Sequence, residues 1–207
     1  MDSLNYDAVL FDLDGVLVDA CDWHYEALNR AMVEYGVEPI SRGDHVTRFN
    51  GLPTKVKLNM LGVPYEIAVK INDCKQQYTL DTIKNNAIIM EEKVELHAYL
   101  KEIGVKVACV TNSIRETAEE MLRATGQLKF MDAIISNEDV QKNKPYPDCY
   151  NTAVHRIGVD PSRCLCVEDS LIGIEAAAKS IVHHLWAVKN TTQVTKVNFL
   201  NRSKDTK

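Results

Sequence analysis

Val9-Leu10-Phe11-Asp12-Leu13-Asp14-Gly15-Val16-Leu17-Val18-Asp19 begins as an apolar run and then sets two carboxylates one residue apart, followed by a glycine. The apolar run is the pattern of a strand buried on both faces. Burying Asp12 and Asp14 beside it is costly unless positive charge sits between them. A divalent cation meets that need, and oxygen-only ligands favour a hard ion such as Mg2+. The spacing also fits the start of a Ca2+-binding loop. That loop needs further oxygen donors and a closing Glu, where this chain has Val16, Leu17 and Val18.

Working outward, residues 6–12 form a first strand and Gly15 lets the chain leave it sharply. An amphipathic helix follows, with Trp23, Ala27, Ala31 and Tyr35 at i, i+4 steps, and Gly36 ends it. Pro39 to Asn50 is a polar stretch. A short helix after Pro53 and a longer one after Pro64 complete a segment that is helical from residue 19 to about 84. Beyond Glu91 the texture alternates. Val105–Val110, Ala133–Ile135, Cys164–Val167 and Val182–Val188 read as strands, and helices lie between them. One of those helices carries Tyr150, Ala153, Val154 and Ile157 on a single apolar face. Residues after Asn190 read as a loose tail.

Strands alternating with helices predict an α/β fold, a Rossmann-like parallel sheet with helices on both faces, plus an inserted all-helical cap domain. The core is expected over 1–18 and 85–207, and the cap over 19–84. In such sheets ligands sit at the carboxyl ends of the strands. Asp12 and Asp14, Thr111 and Asn112, and Glu168 and Asp169 all fall there, with Lys144 in a loop after another strand. Asp12, Asp14 and Asp169 can share a Mg2+, with Glu168 holding a coordinated water. Ser113 and Glu116 are spaced as a capping box, and the amides of Asn112 and Ser113 at that helix start suit an anion. Lys144 adds mobile positive charge, so that an aspartate can attack a phosphoryl group instead of repelling it. Asp12 is the natural nucleophile and Asp14 the acid/base.

At 207 residues, 45% hydrophobic and 26% charged, the chain has ordinary globular composition. A net charge of −5, with no run of basic residues, argues against nucleic-acid binding. No apolar run reaches the length of a membrane span, and Met1-Asp2-Ser3 lacks the basic start of a signal peptide. The six cysteines read as reduced thiols of a cytoplasmic protein, and Cys164-x-Cys166 as strand residues on one face more readily than a metal site.

The four segments together resemble the haloacid dehalogenase superfamily. Asp12-Leu13-Asp14-Gly15 matches its first motif and Thr111 its second. Lys144-Pro145-Tyr146-Pro147-Asp148 matches the third, and Glu168-Asp169-Ser170 with Gly173 the fourth. The resemblance implies a Mg2+-dependent phosphatase acting through an aspartyl-phosphate on a small phosphorylated metabolite, such as a sugar phosphate or a phosphoglycolate-like acid. It implies catalytic roles for Asp12, Asp14, Thr111 and Lys144. Asn112, Ser113, His24 and Gly51 are the expected substrate contacts, and Asp12, Asp14, Glu168 and Asp169 the metal site. Asp14 speaks against carbon–halogen cleavage, because dehalogenases of the superfamily lack that acid/base. The insert is similar to the helical cap of the branch holding phosphoglycolate phosphatase and β-phosphoglucomutase. Mutases of that branch carry a cap arginine for a second phosphate. Gly51-Leu52-Pro53-Thr54 has none, which places a phosphomutase second; a non-catalytic phospho-ligand binding protein stands third. Arg48, Lys55 and Lys57 are in the segment that could contact substrate, and each reads more readily as a solvated charge. The expected assembly is a monomer or weak dimer.

Overall fold

The computed structural model describes residues 6–49 and 51–205, with side chains to residue 202. Met1-Asp2-Ser3 and Asn50 therefore lie outside the described residues. Five strands, β1 Ala8–Phe11, β2 Lys106–Val110, β3 Ala133–Ile135, β4 Cys164–Glu168 and β5 His184–Ala187, form one sheet. Their order is β3-β2-β1-β4-β5 and every neighbouring pair is parallel. This is the α/β architecture that the alternating pattern predicts. β1 is central, and all four of its residues are buried. In its register Phe11 pairs with Cys109 on one side and Val167 on the other. The next position along therefore sets Asp12 level with Val110 and Glu168.

The chain divides into two compact units, Met1–Asp19 with Ile88–Lys207, and Ala20–Ala87. The second unit contains α1 Cys21–Glu34, α2 Arg42–Asp44, α3 Thr54–Met60 and α4 Tyr65–Asn86. Leu28, Ala31, Met32, Ile40, Phe49, Leu58 and Ile71 form its core. The polar stretch before Asn50 is more ordered than its composition suggests. Ser41 caps α2 by accepting from the Asp44 N–H, and a π-helical turn His45–Phe49 follows directly. Asn29 exchanges two 2.9 Å hydrogen bonds with the Ile40 backbone, which ties this stretch to α1.

The first unit carries α5 Glu91–Glu102, α6 Arg115–Ala124, α7 Asp148–Ile157, α8 Leu171–Lys179 and α9 Lys196–Asp205. Ala8, Leu10, Ala108, Val110, Cys164 and Cys166 face one side of the sheet and pack on α7 and α8 through Tyr150, Ala153, Val154 and Ala176. On the opposite face Phe11 meets the His97 ring of α5 edge-on at 5.3 Å. The six cysteines are unbridged. No helix among the described residues is long and apolar enough to cross a membrane.

The segment after Asn190 departs from the expected loose tail. Val194 and Phe199 are fully buried, and Lys93, itself buried in α5, donates to the carbonyls of Thr191 at 2.6 Å and Val194 at 2.7 Å. Two apolar anchors and one buried amine suffice to dock a polar segment. Phe199→Ala is expected to lower the unfolding free energy in urea by about 3 kcal/mol, whereas Val197→Ala, at an exposed position, costs little.

His97 Nε2 lies 3.0 Å from Gln127 Oε1, and burial holds its pKa down at about 4, below the usual 6.5. Between those values the unfolded chain binds the proton that the folded chain refuses, so stability is present above pH 6.5 and falls towards pH 4. Denaturant titrations of wild type and His97→Gln across that window should differ in slope, the variant losing less stability between pH 6.5 and pH 4 than wild type does.

Candidate active site

The carboxyl ends of β1, β2 and β4 bring their polar residues to one edge of the sheet. Lys144, buried in the loop between β3 and α7, places Nζ 2.6 Å from Asp12 Oδ1, 2.6 Å from Glu168 Oε1 and 2.8 Å from the Val110 carbonyl. One ammonium group thus joins the ends of three adjacent strands. Its burial opposes the charge, but Asp12 and Glu168 outweigh that and hold its pKa above the usual lysine range. The loop carrying it is fixed by Asn112, whose Oδ1 accepts from the Lys144 N–H at 3.1 Å and whose Nδ2 donates to the Lys144 carbonyl at 3.4 Å.

Carboxylates still crowd the site. Oxygen atoms of Asp12, Glu168 and Asp169 lie within 4.8 Å of one another. Burial, then the charge of Glu168, pushes Asp12 well above the ordinary carboxylate range, with Lys144 acting against the shift. Asp169 is pushed up to about 6 by burial and by the charges of Glu168 and Asp14. Asp169 Oδ1 is buried with no hydrogen-bond partner. An orphan carboxylate oxygen beside two others is the environment a small hard cation relieves. The Asp14 carboxylate lies outside that trio and accepts from Ser113 Oγ at 3.3 Å.

Two glycines keep this geometry open. A Cβ at Gly15 would fall 2.0 Å from Asp169 Oδ2, and Gly15 has φ +84. A Cβ at Gly173 would fall 2.0 Å from Glu168 Oε2. Gly15 also donates to the Val18 carbonyl at 2.8 Å, and Leu17 and Val18 both donate to Leu13 O at 2.9 Å, so the chain turns tightly behind Asp14.

Thr111 is buried, and its Oγ1 accepts from the Ser113 N–H at 3.0 Å. This differs from the capping box. The helix begins at Arg115 with Ile114 at its N-cap, and Glu138 accepts the Arg115 N–H at 2.7 Å. His24 and Gly51 belong to the helical unit. His24, on α1, has Nδ1 3.1 Å from Lys75 Nζ, and Gly51 has φ +74 in the turn before α3.

One residue of the site reads in the sequence only as core. The fully buried Tyr150 hydroxyl of α7 donates to Glu168 Oε1, and Lys144 Nζ stands 5.2 Å from the Tyr150 ring centroid. Its place on the apolar face of α7 hid it; a hydroxyl at a buried position next to the Lys144 segment was the available signal. Tyr150→Phe removes one donor from a buried carboxylate without changing volume much. It should lower the unfolding free energy by about 2 kcal/mol in chemical denaturation.

A family model of haloacid dehalogenase-like hydrolases matches residues 9–187. The chain is 28% identical over 185 residues to the phosphorylated carbohydrates phosphatase of Thermotoga maritima, covering 88% of this chain and 85% of that protein. It is 30% identical over 178 residues to the validoxylamine A 7'-phosphate phosphatase of Streptomyces hygroscopicus subsp. limoneus, covering 84% and 82%. Among solved structures it resembles a β-phosphoglucomutase from Clostridium difficile with a TM-score of 0.79 at 21% identity, covering 97% of this chain and 98% of that one. At that identity the likeness shows a shared fold.

Proposed function

The chain belongs to the haloacid dehalogenase-like hydrolases, and from that premise we propose that it is a Mg2+-dependent phosphatase hydrolysing a small phosphorylated metabolite through an aspartyl-phosphate. The observation that carries this reading is Lys144, clamped between Asp12 and Glu168 with Asp169 beside them. The names of the relatives, phosphatases of phosphorylated carbohydrates and of a 7'-phosphate, support the same substrate class. The six unbridged cysteines are compatible with a reducing, cytoplasmic setting. The helical unit Ala20–Ala87 takes the role of a cap in this reading.

Asp12, Glu168 and Asp169 would hold the ion, with Asp14 next to them. Bound Mg2+ supplies positive charge that adds to Lys144, keeps Asp12 ionised and offsets the charge of the phosphoryl group. Asp12 attacks phosphorus, forming an O–P bond as the ester O–P bond breaks. Asp14 gives its proton to the leaving oxygen. In the second half Asp14 takes a proton from water, water oxygen bonds to phosphorus, and the bond to Asp12 breaks, returning the free carboxylate and inorganic phosphate. Lys144 stays bound to Asp12 and neutralises charge on the transferring group. Thr111 presents a hydroxyl at the end of the neighbouring strand.

Phosphate release from a panel of sugar phosphates and short-chain acid phosphates tests the reading. Wild type with Mg2+ should turn over at least one ester, Asp12→Asn should lower the rate by at least about 10³-fold, and a chelator should abolish it reversibly. Activity that survives Asp12→Asn, or an isomerised product in place of free phosphate, would refute it.

A further inference from the structure

The turn that carries Asp14 is tied to a buried polar chain. Gln127, in the link between α6 and β3, is fully buried, as is His97 of α5. The Gln127 side-chain amide donates to Thr125 Oγ1 at 2.8 Å and to the Leu17 carbonyl at 3.2 Å. Thr125 gives its own proton to the Met121 carbonyl at 2.7 Å, which leaves its oxygen to accept. Both amide protons of Gln127 are thereby used, and its Oε1 faces His97 Nε2 at 3.0 Å. Burial keeps that ring neutral at ordinary pH, so its single proton lies on Nε2 and is donated to Gln127. The ring itself is fixed by Phe11, 5.3 Å away at the end of β1, and by Phe130 at 6.0 Å.

Packing alone does not call for this pair. Leu13, Val16, Leu17 and Val18 are all buried, and an apolar residue at position 127 would meet them without a desolvation cost. Instead two polar side chains are buried, and His97 Nδ1 is left without a hydrogen-bond partner. Local rules are broken in this way where a function requires it. The chain His97–Gln127 ends on the Leu17 carbonyl, and Leu17 belongs to a closed set of backbone hydrogen bonds. Leu17 and Val18 donate to the Leu13 carbonyl, and Gly15 donates to that of Val18. Asp14 sits inside this set, between Leu13 and Gly15. A general acid must lie within hydrogen-bond reach of the leaving oxygen, and a misplacement of about 1 Å costs on the order of 10²-fold in rate.

We propose that Gln127 is a positioning residue for Asp14: oriented by His97, it holds the Leu17 carbonyl and through it the turn from Leu13 to Val18 that presents the Asp14 carboxyl. The role of Asp14 as acid rests on the phosphatase reading; the hold on the turn does not.

Two measurements on the intact chain separate these parts. Gln127→Met keeps the length of the side chain and removes its amide. In native-state hydrogen exchange it should speed the Gly15, Leu17 and Val18 amides by about tenfold or more beyond any change in the β1 amides. In kinetics, the most active alkyl ester of the substrate panel is compared with p-nitrophenyl phosphate, whose leaving group departs without a proton. The ratio of their kcat/KM values, alkyl over aryl, should fall about tenfold or more in Gln127→Met, and further in Asp14→Asn. A general loss of folded protein lowers both values and leaves the ratio where it was. If Gln127→Met does not fold, His97→Phe combined with Gln127→Met removes both members of the polar pair and should give the same two results. Equal exchange changes in the turn and in β1 overturn the hold on the turn. A ratio that falls in Asp14→Asn and not in the Gln127 variant overturns the positioning role. A ratio unmoved by Asp14→Asn overturns the acid role and the positioning with it, and failure of wild type to hydrolyse any ester overturns the phosphatase reading. In both of those cases the exchange rates still decide whether Gln127 holds the turn.

Discussion

A single ammonium group, Lys144 Nζ, reaches Asp12, Glu168 and the Val110 carbonyl at once, and the candidate site depends on that contact. The parallel register brings Asp12 level with Val110 and Glu168, so two carboxylates arrive at neighbouring strand ends with nowhere to disperse their charge. Without a cation between them the sheet edge would repel itself. With Lys144 in place the edge is neutral enough to fold, and the remaining excess of negative charge lies around Asp169. Buried ion pairs contribute little net stability against an apolar alternative, so their value here lies in chemistry and geometry. Asn112 and Tyr150 serve the same contact, one holding the loop backbone and the other the Glu168 carboxylate.

Gly15 and Gly173 act through the atoms they lack. Each leaves space for a carboxylate that a methyl group would occupy at 2.0 Å, Asp169 in one case and Glu168 in the other. At Gly15 the backbone also takes a left-handed conformation that L side chains rarely adopt. The first and fourth acidic segments are therefore coupled by direct approach, in addition to their shared position at the sheet edge.

The sheet was legible because its strands are short apolar runs ended by glycine or polar residues, and burial on both faces demands that pattern. The four polar segments were legible because each follows such a run. What sequence reading missed depends on sparse or dual-purpose residues. Val194 and Phe199 are too few to raise a periodic signal, yet they dock the C-terminal segment. Arg42–Asp44 and the π-helical turn after it are held by Ser41 and Asn29 more than by apolar periodicity. Tyr150 satisfies the helical pattern with its ring and the site with its hydroxyl. Lys57 is polar in sequence and buried in space, a combination no hydropathy pattern distinguishes from a solvated lysine.

The amine of Lys93 has a consequence for how the chain is made. α5 places it inside the protein, but its acceptors, the carbonyls of Thr191 and Val194, come about a hundred residues later. On a growing chain α5 must wait with this amine still in water, because burying it early would leave a charge without a partner. The sheet has the same delay, since central β1 gains its β4 neighbour only after most of the chain has emerged. Final closure of this unit therefore waits for residues 191–199, and a nascent chain halted before residue 191 would present α5 with its buried face unsealed.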